Sequence, residues 1–271
     1  MTAFINHFSF EFKTGLRNRN LLVTNYLLPL VFYVMMGFVM VEINPQFAAV
    51  LIPAMVVFTM MVSTMIGMPP PLTEAREGGV YRSYKINGVP AISILTIPVL
   101  TTVFHALIVS TIIALTGGSV FDGVVPENWL AFASITLLIG ITFGAIGALI
   151  GVVSASTTSA VMLSQLIFIP SILLGGMMIP LEVLPESVRW LSALFPATYA
   201  MEAFNGLAYG RETIIDPAAA VTILGISMVL SFTLAVYLFN WDSHNSTRKG
   251  NPLLALLAAV PFVAGAVYIA L

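Results

Sequence analysis

Seven stretches of roughly twenty apolar residues run through this chain, at 21–41, 47–68, 91–115, 129–153, 160–179, 218–239 and 253–271. A bilayer core of about 30 Å takes roughly 20 helical residues to cross. Lipid cannot satisfy backbone amides, so a spanning segment is a helix or a strand of a closed barrel. Barrel strands need only about 10 residues and alternate in polarity; these segments do neither. The expected fold class is therefore an all-α integral membrane protein. Composition leads to the same place: 59 % of the 271 residues are hydrophobic and 8 % are charged. So few charges could not cover a soluble surface.

Several functions are excluded before any motif is read. The net charge of −2 leaves no basic face for nucleic acid. Without cysteine there is no disulfide scaffold, thiolate metal site or cysteine nucleophile. Lys13, Lys85 and Lys249 all lack the context of a phosphate-binding P-loop. No H-E-x-x-H or G-x-S-x-G motif occurs, and His7, His105 and His244 are too scattered to form a metal site. The chain is thus expected not to be an enzyme and to bind no cofactor itself. Uphill transport would draw on a partner or an ion gradient. Gradient-driven carriers usually place ionisable groups inside their spans. Here the spans hold no Asp, Glu, Lys or Arg, only His105 and Gln165 as polar candidates. That pattern favours a separate ATPase.

Charge sets the expected orientation. Lys13, Arg17, Arg19, Arg76, Arg82, Lys85, Arg248 and Lys249 fall on one side of the spans, and only Arg189 and Arg211 on the other. The positive-inside rule makes the first side cytoplasmic. The N-terminus is then inside, in an inner cell membrane, and the C-terminus outside if 253–271 spans. Before the first span, Phe4, Phe8, Phe12 and Leu16 recur every four residues, with Ile5 beside them. Glu11, Lys13, Arg17 and Arg19 take other positions, so 1–20 reads as an amphipathic helix lying in the membrane interface.

The most polar stretch is the loop 69–90. Three prolines end the second span there, and Thr73 is placed to cap a short helix with Glu74 and Glu77 in its first turn. Val80, Tyr81 and Tyr84 share a face, and Asn87, Gly88 and Pro90 stop the helix. Exposed tyrosines beside both charge signs fit a docking element; a solvated loop with positive-inside charges fits equally well.

The pattern Glu74-x-x-Glu77-Gly78-x-x-x-Arg82, followed by Pro90, resembles the coupling loop of type-2 ABC transporter permeases. Gly79 departs from the threonine usual there. A second stretch agrees: Gly175-Gly176-Met177-Met178-Ile179-Pro180, then Leu184-Pro185, Trp190-Leu191, and Phe195-Pro196-Ala197-Thr198-Tyr199 through Leu207. Phe195 stands where asparagine is common. The resemblance covers about 4–239 and implies a six-helix core spanning 21–240, with 241–271 as a linker and an extra C-terminal span. It further implies a dimer with a second copy or a homologous permease, resting on separate cytoplasmic ATPase subunits that bind ATP and magnesium. Glu74, Arg76, Glu77, Gly78, Tyr81 and Arg82 would couple to that ATPase. Members export drugs, antibiotics, peptides, lipids or polysaccharides, or extrude sodium.

Prolines 180, 185 and 196 forbid one continuous helix over 181–207. Short re-entrant or surface helices are expected, with Trp190 and Tyr199 at headgroup level. Under the resemblance, Pro180, Pro185, Trp190, Pro196, Tyr199 and Glu202 form an outer gate; a loop that merely packs on the spans is the plainer alternative. The fourth span carries Gly140, Gly144, Gly147 and Gly151, a spacing that lets helices approach closely, within one chain or across a dimer. The expected function is an ABC exporter permease for a hydrophobic or amphipathic solute in the lipid bilayer. A self-contained channel or gradient-driven carrier is the alternative.

Overall fold

The computed structural model describes residues 17–242 and 250–270, together with Ser9, Phe12 and Lys13. Most of the expected interfacial helix, and Arg248 and Lys249, lie outside the described residues. Among those described, the elements are all helical, and seven helical runs are long and apolar enough to span a membrane.

The first span, α1 (Arg19–Ile43), is capped by the Asn18 side chain and widens into a π turn at Val23–Leu27. The second, α2 (Phe47–Met61), runs into a matching π turn at Val62–Gly67. Prolines 69–71 break this run at Met68 and then start α3 (Pro69–Glu77). Proline is tolerated there because first-turn amides have no helical partner anyway. Thr73 is therefore not a cap: it lies inside α3, fully buried. Gly79, with φ +74°, turns the chain into α4 (Val80–Ile86).

The spans α5 (Ala91–Phe121), α6 (Trp129–Val153) and α7 (Thr157–Leu174) follow. The last stops five residues short of the expected end. Gly176 adopts φ +80°, and a side chain at Gly175 would overlap the Ser171 carbonyl. Beyond lie a 3₁₀ turn (Leu181–Val183), α8 (Glu186–Ser192) and α9 (Pro196–Ala203), which runs into a third π turn at Phe204–Ala208. The chain closes with α10 (Pro217–Leu238), a 3₁₀ stretch (Pro252–Ala259) and α11 (Val260–Ala270). Pro261 falls in the first turn of α11, where its missing N–H does no harm.

Spans α2 and α6 form the centre, each 83 % buried over its most apolar window, while α1 and α7 lean outward. Water does not drive helices together inside lipid; close packing does. The α6 glycines supply it within the chain. A Cβ at Gly140 or Gly144 would press on Val103 or Val99 of α5 at 3.0 and 2.8 Å. At Gly147 it would overlap the Thr64 carbonyl oxygen, and at Gly151 it would meet Leu72 at 3.1 Å.

Candidate functional site

At the end of the bundle that carries the 69–90 loop, α3 and α4 are built into the protein. Helix α6 ends at an extended Ser154, which leaves its last carbonyls without helical partners. Side chains take them up. Arg76, only 6 % exposed, donates from Nη1 to the Val152 carbonyl at 2.5 Å and from Nη2 to the Ser154 carbonyl. Thr73 Oγ1 donates to the Gly151 carbonyl at 3.1 Å, while the Ile150 carbonyl keeps its helical partner, the Ser154 amide, and accepts from Ser154 Oγ as well at 2.6 Å. A cation at a helix C-terminus also complements the helix dipole. Glu77 then accepts from Thr157 Oγ1 at 2.9 Å, reaching the first turn of α7.

Helix α4 fastens to α10. Tyr81 is 5 % exposed and packs 5.5 Å from the Phe239 ring. It belongs to a cluster with Leu72, Leu95, Val152 and Leu238. Arg82 pairs with Asp242 on the surface. The expectation of exposed tyrosines is therefore corrected for Tyr81, whose ring is consumed by the chain's own core. Glu74, Glu77, Gly78 and Arg82 do face outward. So do Val80, 43 % exposed, which the sequence placed beside Tyr81, and Ile86, 81 % exposed, which sequence reasoning passed over. An isoleucine directly before the Asn87-Gly88 stop was the available signal.

The opposite end is formed by the 181–207 segment. Helix α9 is buried along its whole length, and Pro196, Tyr199 and Glu202 with it. Tyr199 is buried inside the protein, not presented at its surface. Its hydroxyl donates to the Ala193 carbonyl at 2.7 Å and lies 3.3 Å from the Phe262 carbonyl, so it needs no water. Gly265 leaves room for that ring, since a Cβ there would overlap the hydroxyl. Trp190 is 45 % exposed, and Pro180 and Pro185 also lie toward the surface. The six expected gate residues thus divide into a buried set and a surface set.

Glu202, 1 % exposed, accepts from the Ile214 and Ile215 amides at 2.7 and 2.8 Å. Burial raises its carboxyl above the ordinary value; the two amides oppose this, and Glu182 adds to it. Beside it lies a cavity of about 280 Å³ lined by Gln46, Glu182, Glu202, Asn205, Arg211 and Glu212, among others. Arg211 donates to the Ala49 carbonyl at 2.9 Å and sits 4.6 Å over the Tyr209 ring. Burial lowers its pKa, opposed by Tyr209, Glu127 and Glu182. In the sequence, Arg211 entered only as a charge on the far side. Among the described residues no group of three or more His, Asp or Glu could hold a metal ion.

These two ends are joined by a bundle of long apolar helices. The ABC-2 type transporter family is matched by residues 2–209. The chain belongs to that family. The YvfS protein of Bacillus subtilis (strain 168), which is named as a transport permease, is 26 % identical over 230 residues. The aligned part covers 82 % of this chain and 92 % of that one. No solved structure matches. This ABC-2 permease is a multi-pass membrane protein of a family that works with ATPase subunits. The family match takes in α1 to α9; α10 and α11 lie beyond it.

Proposed function

We propose that this permease exports a hydrophobic or amphipathic solute, driven by a separate cytoplasmic ATPase that docks on the exposed face of α3 and α4. Two permease chains would stand side by side, each on its own ATPase subunit, with the basic end of the bundle in the cytoplasm. The carrying observation is the attachment of α3 to the end of α6 through Arg76 and Thr73. A push on α3 then moves the most buried pair of spans, not a slack loop. Glu74, Glu77, Val80 and Ile86 offer the partner a mixed apolar and acidic face. The outer segment, with α9 wedged against α10 and Tyr199 held by α11, would form the exit.

The test is co-purification with the cognate ATPase, with transport and ATP hydrolysis measured in lipid. Ile86→Asp and Glu77→Ala should leave the permease folded and weaken the complex. An apolar anchor at an interface core is worth about 2 kcal/mol or more, a roughly thirty-fold loss of affinity. Tyr81→Ala should behave differently, destabilising the permease itself, because its ring fills the protein's own core. Wild-type transport by the first two variants, or full transport without any ATPase, would refute this mechanism and promote a gradient-driven carrier.

A further inference from the structure

A recess of about 180 Å³ lies at the loop end, bounded by α1, α3, α4 and α5. Two of its lining side chains are buried polar groups with unmet hydrogen bonds. Asn25 is 4 % exposed and its Oδ1 has no partner. His105 is 3 % exposed. Its Nδ1 is 2.6 Å from the Tyr26 hydroxyl, its ring stacks on Phe12 at 4.7 Å, and its Nε2 has no partner. Buried polar groups are nearly always paired, so each exception calls for a reason. The backbone here is also irregular: the π turns of α1 and α2 meet at this place. A Cβ at Gly67 would lie 3.0 Å from Thr24 Cγ2 and 3.4 Å from Asn25 Oδ1. Single π turns inside α-helices are frequent at functional sites.

Among the described residues no charged side chain lines the recess. Arg76 and Arg82, on the neighbouring helices, are turned to α6 and to Asp242. A carboxylate or phosphate brought here would meet no countercharge among these lining residues and would lose its water. An ammonium could not donate to one group and accept from another. A hydroxyl does both. With the Tyr26 hydroxyl donating to His105 Nδ1, Nε2 carries the ring proton, so a hydroxyl can accept from Nε2–H and donate its own proton to Asn25 Oδ1. Apolar walls at Leu72, Ile94 and Pro98 suit a hydrocarbon body.

We propose that this recess binds an uncharged, hydroxyl-bearing amphipath, its hydroxyl between Asn25 and His105. Such a molecule could be a resident membrane lipid or the exported solute itself. Because α3 and α4 form one wall, the occupant would lie against the helices assigned to coupling. That consequence rests on the coupling reading; the binding does not.

The test uses the full-length permease alone, in nanodiscs, with a photoactivatable diacylglycerol as probe and a photoactivatable phosphatidylglycerol as the charged control. Diacylglycerol should label peptides lining the recess at least ten-fold above the control. Asn25→Leu should abolish that excess, yet melt at or above the wild-type temperature, because it removes a buried carbonyl oxygen that has no partner. His105→Phe, which keeps a ring on Phe12 but drops both nitrogens, should do the same to labelling. Lipid extracted with the wild type identifies the source. A neutral hydroxylated lipid present there and missing from Asn25→Leu marks a resident lipid; labelling without such a lipid marks an exchangeable solute. Equal labelling by both probes, or labelling unchanged in both variants, would overturn the proposal, whatever the ATPase experiments show.

Discussion

Replacing Arg76 by alanine should separate holding from driving. The guanidinium serves the Val152 and Ser154 carbonyls at the end of α6, and the site is 6 % exposed, so water cannot take its place. A hydrogen bond from a charged donor contributes about 1.5–3 kcal/mol, and a buried acceptor left unpaired costs about 1–3 kcal/mol. Against this, removing a buried charge recovers part of its desolvation penalty. The net loss should be about 3 kcal/mol, a fall in melting temperature of roughly 6–12 °C for a chain of this size. Arg76→Lys should fall between, since one ammonium cannot fork to both carbonyls. Glu77, Val80 and Ile86 stay exposed and intact, so the partner ATPase should still co-purify and hydrolyse ATP while transport drops. Thermal melts and reconstituted transport, on the same preparations, read both effects. If Arg76→Ala melts with the wild type and transports normally, the clamp is idle and the transmission argument fails.

Two further outcomes follow from other residues. The Glu202 carboxyl is raised above its ordinary 4.5, so its contribution to stability is full below that value and fades as pH rises through the raised one. Glu202→Gln, which can still accept from both amides, should out-melt the wild type at neutral pH, with the gap closing on acidification; parallel pH profiles would contradict this. Orientation is open to cysteine labelling, with Ser83→Cys reached only from the cytoplasm and Val124→Cys only from outside. Val124 serves better than Gly123, where a Cβ would lie 2.9 Å from the Gly117 carbonyl oxygen. Labelling of Ser83→Cys from outside would invert the topology.

The spans were legible because length and apolarity alone decide whether a helix can cross lipid. Which face of each span turns inward was not, since a segment apolar all round carries no stripe to read. The α6 glycines were the exception, because small residues mark a close approach. Tyr81 was misjudged for a related reason. An aromatic on a polar loop looks like a docking residue until a neighbour such as Phe239, distant in sequence, is found beside it. The π turns in α1 and α2 left no trace in the residue pattern. Thr73 looked like a cap because threonine favours that role, but prolines 69–71 had already started the helix.

The last span is wound two ways, and that sets its length. Its eight 3₁₀ residues rise about 2.0 Å each and the eleven α residues about 1.5 Å, so the segment reaches about 32 Å where an all-α run would reach about 28 Å. Pro261 holds this winding: an all-α run would take the Val260 amide away from the Leu257 carbonyl, and Pro261 has no N–H to replace it. Bilayers differ in thickness by a few ångströms. A strut of this kind keeps the longer reach, while the Tyr199 hydroxyl beside Phe262 fixes its position against α9.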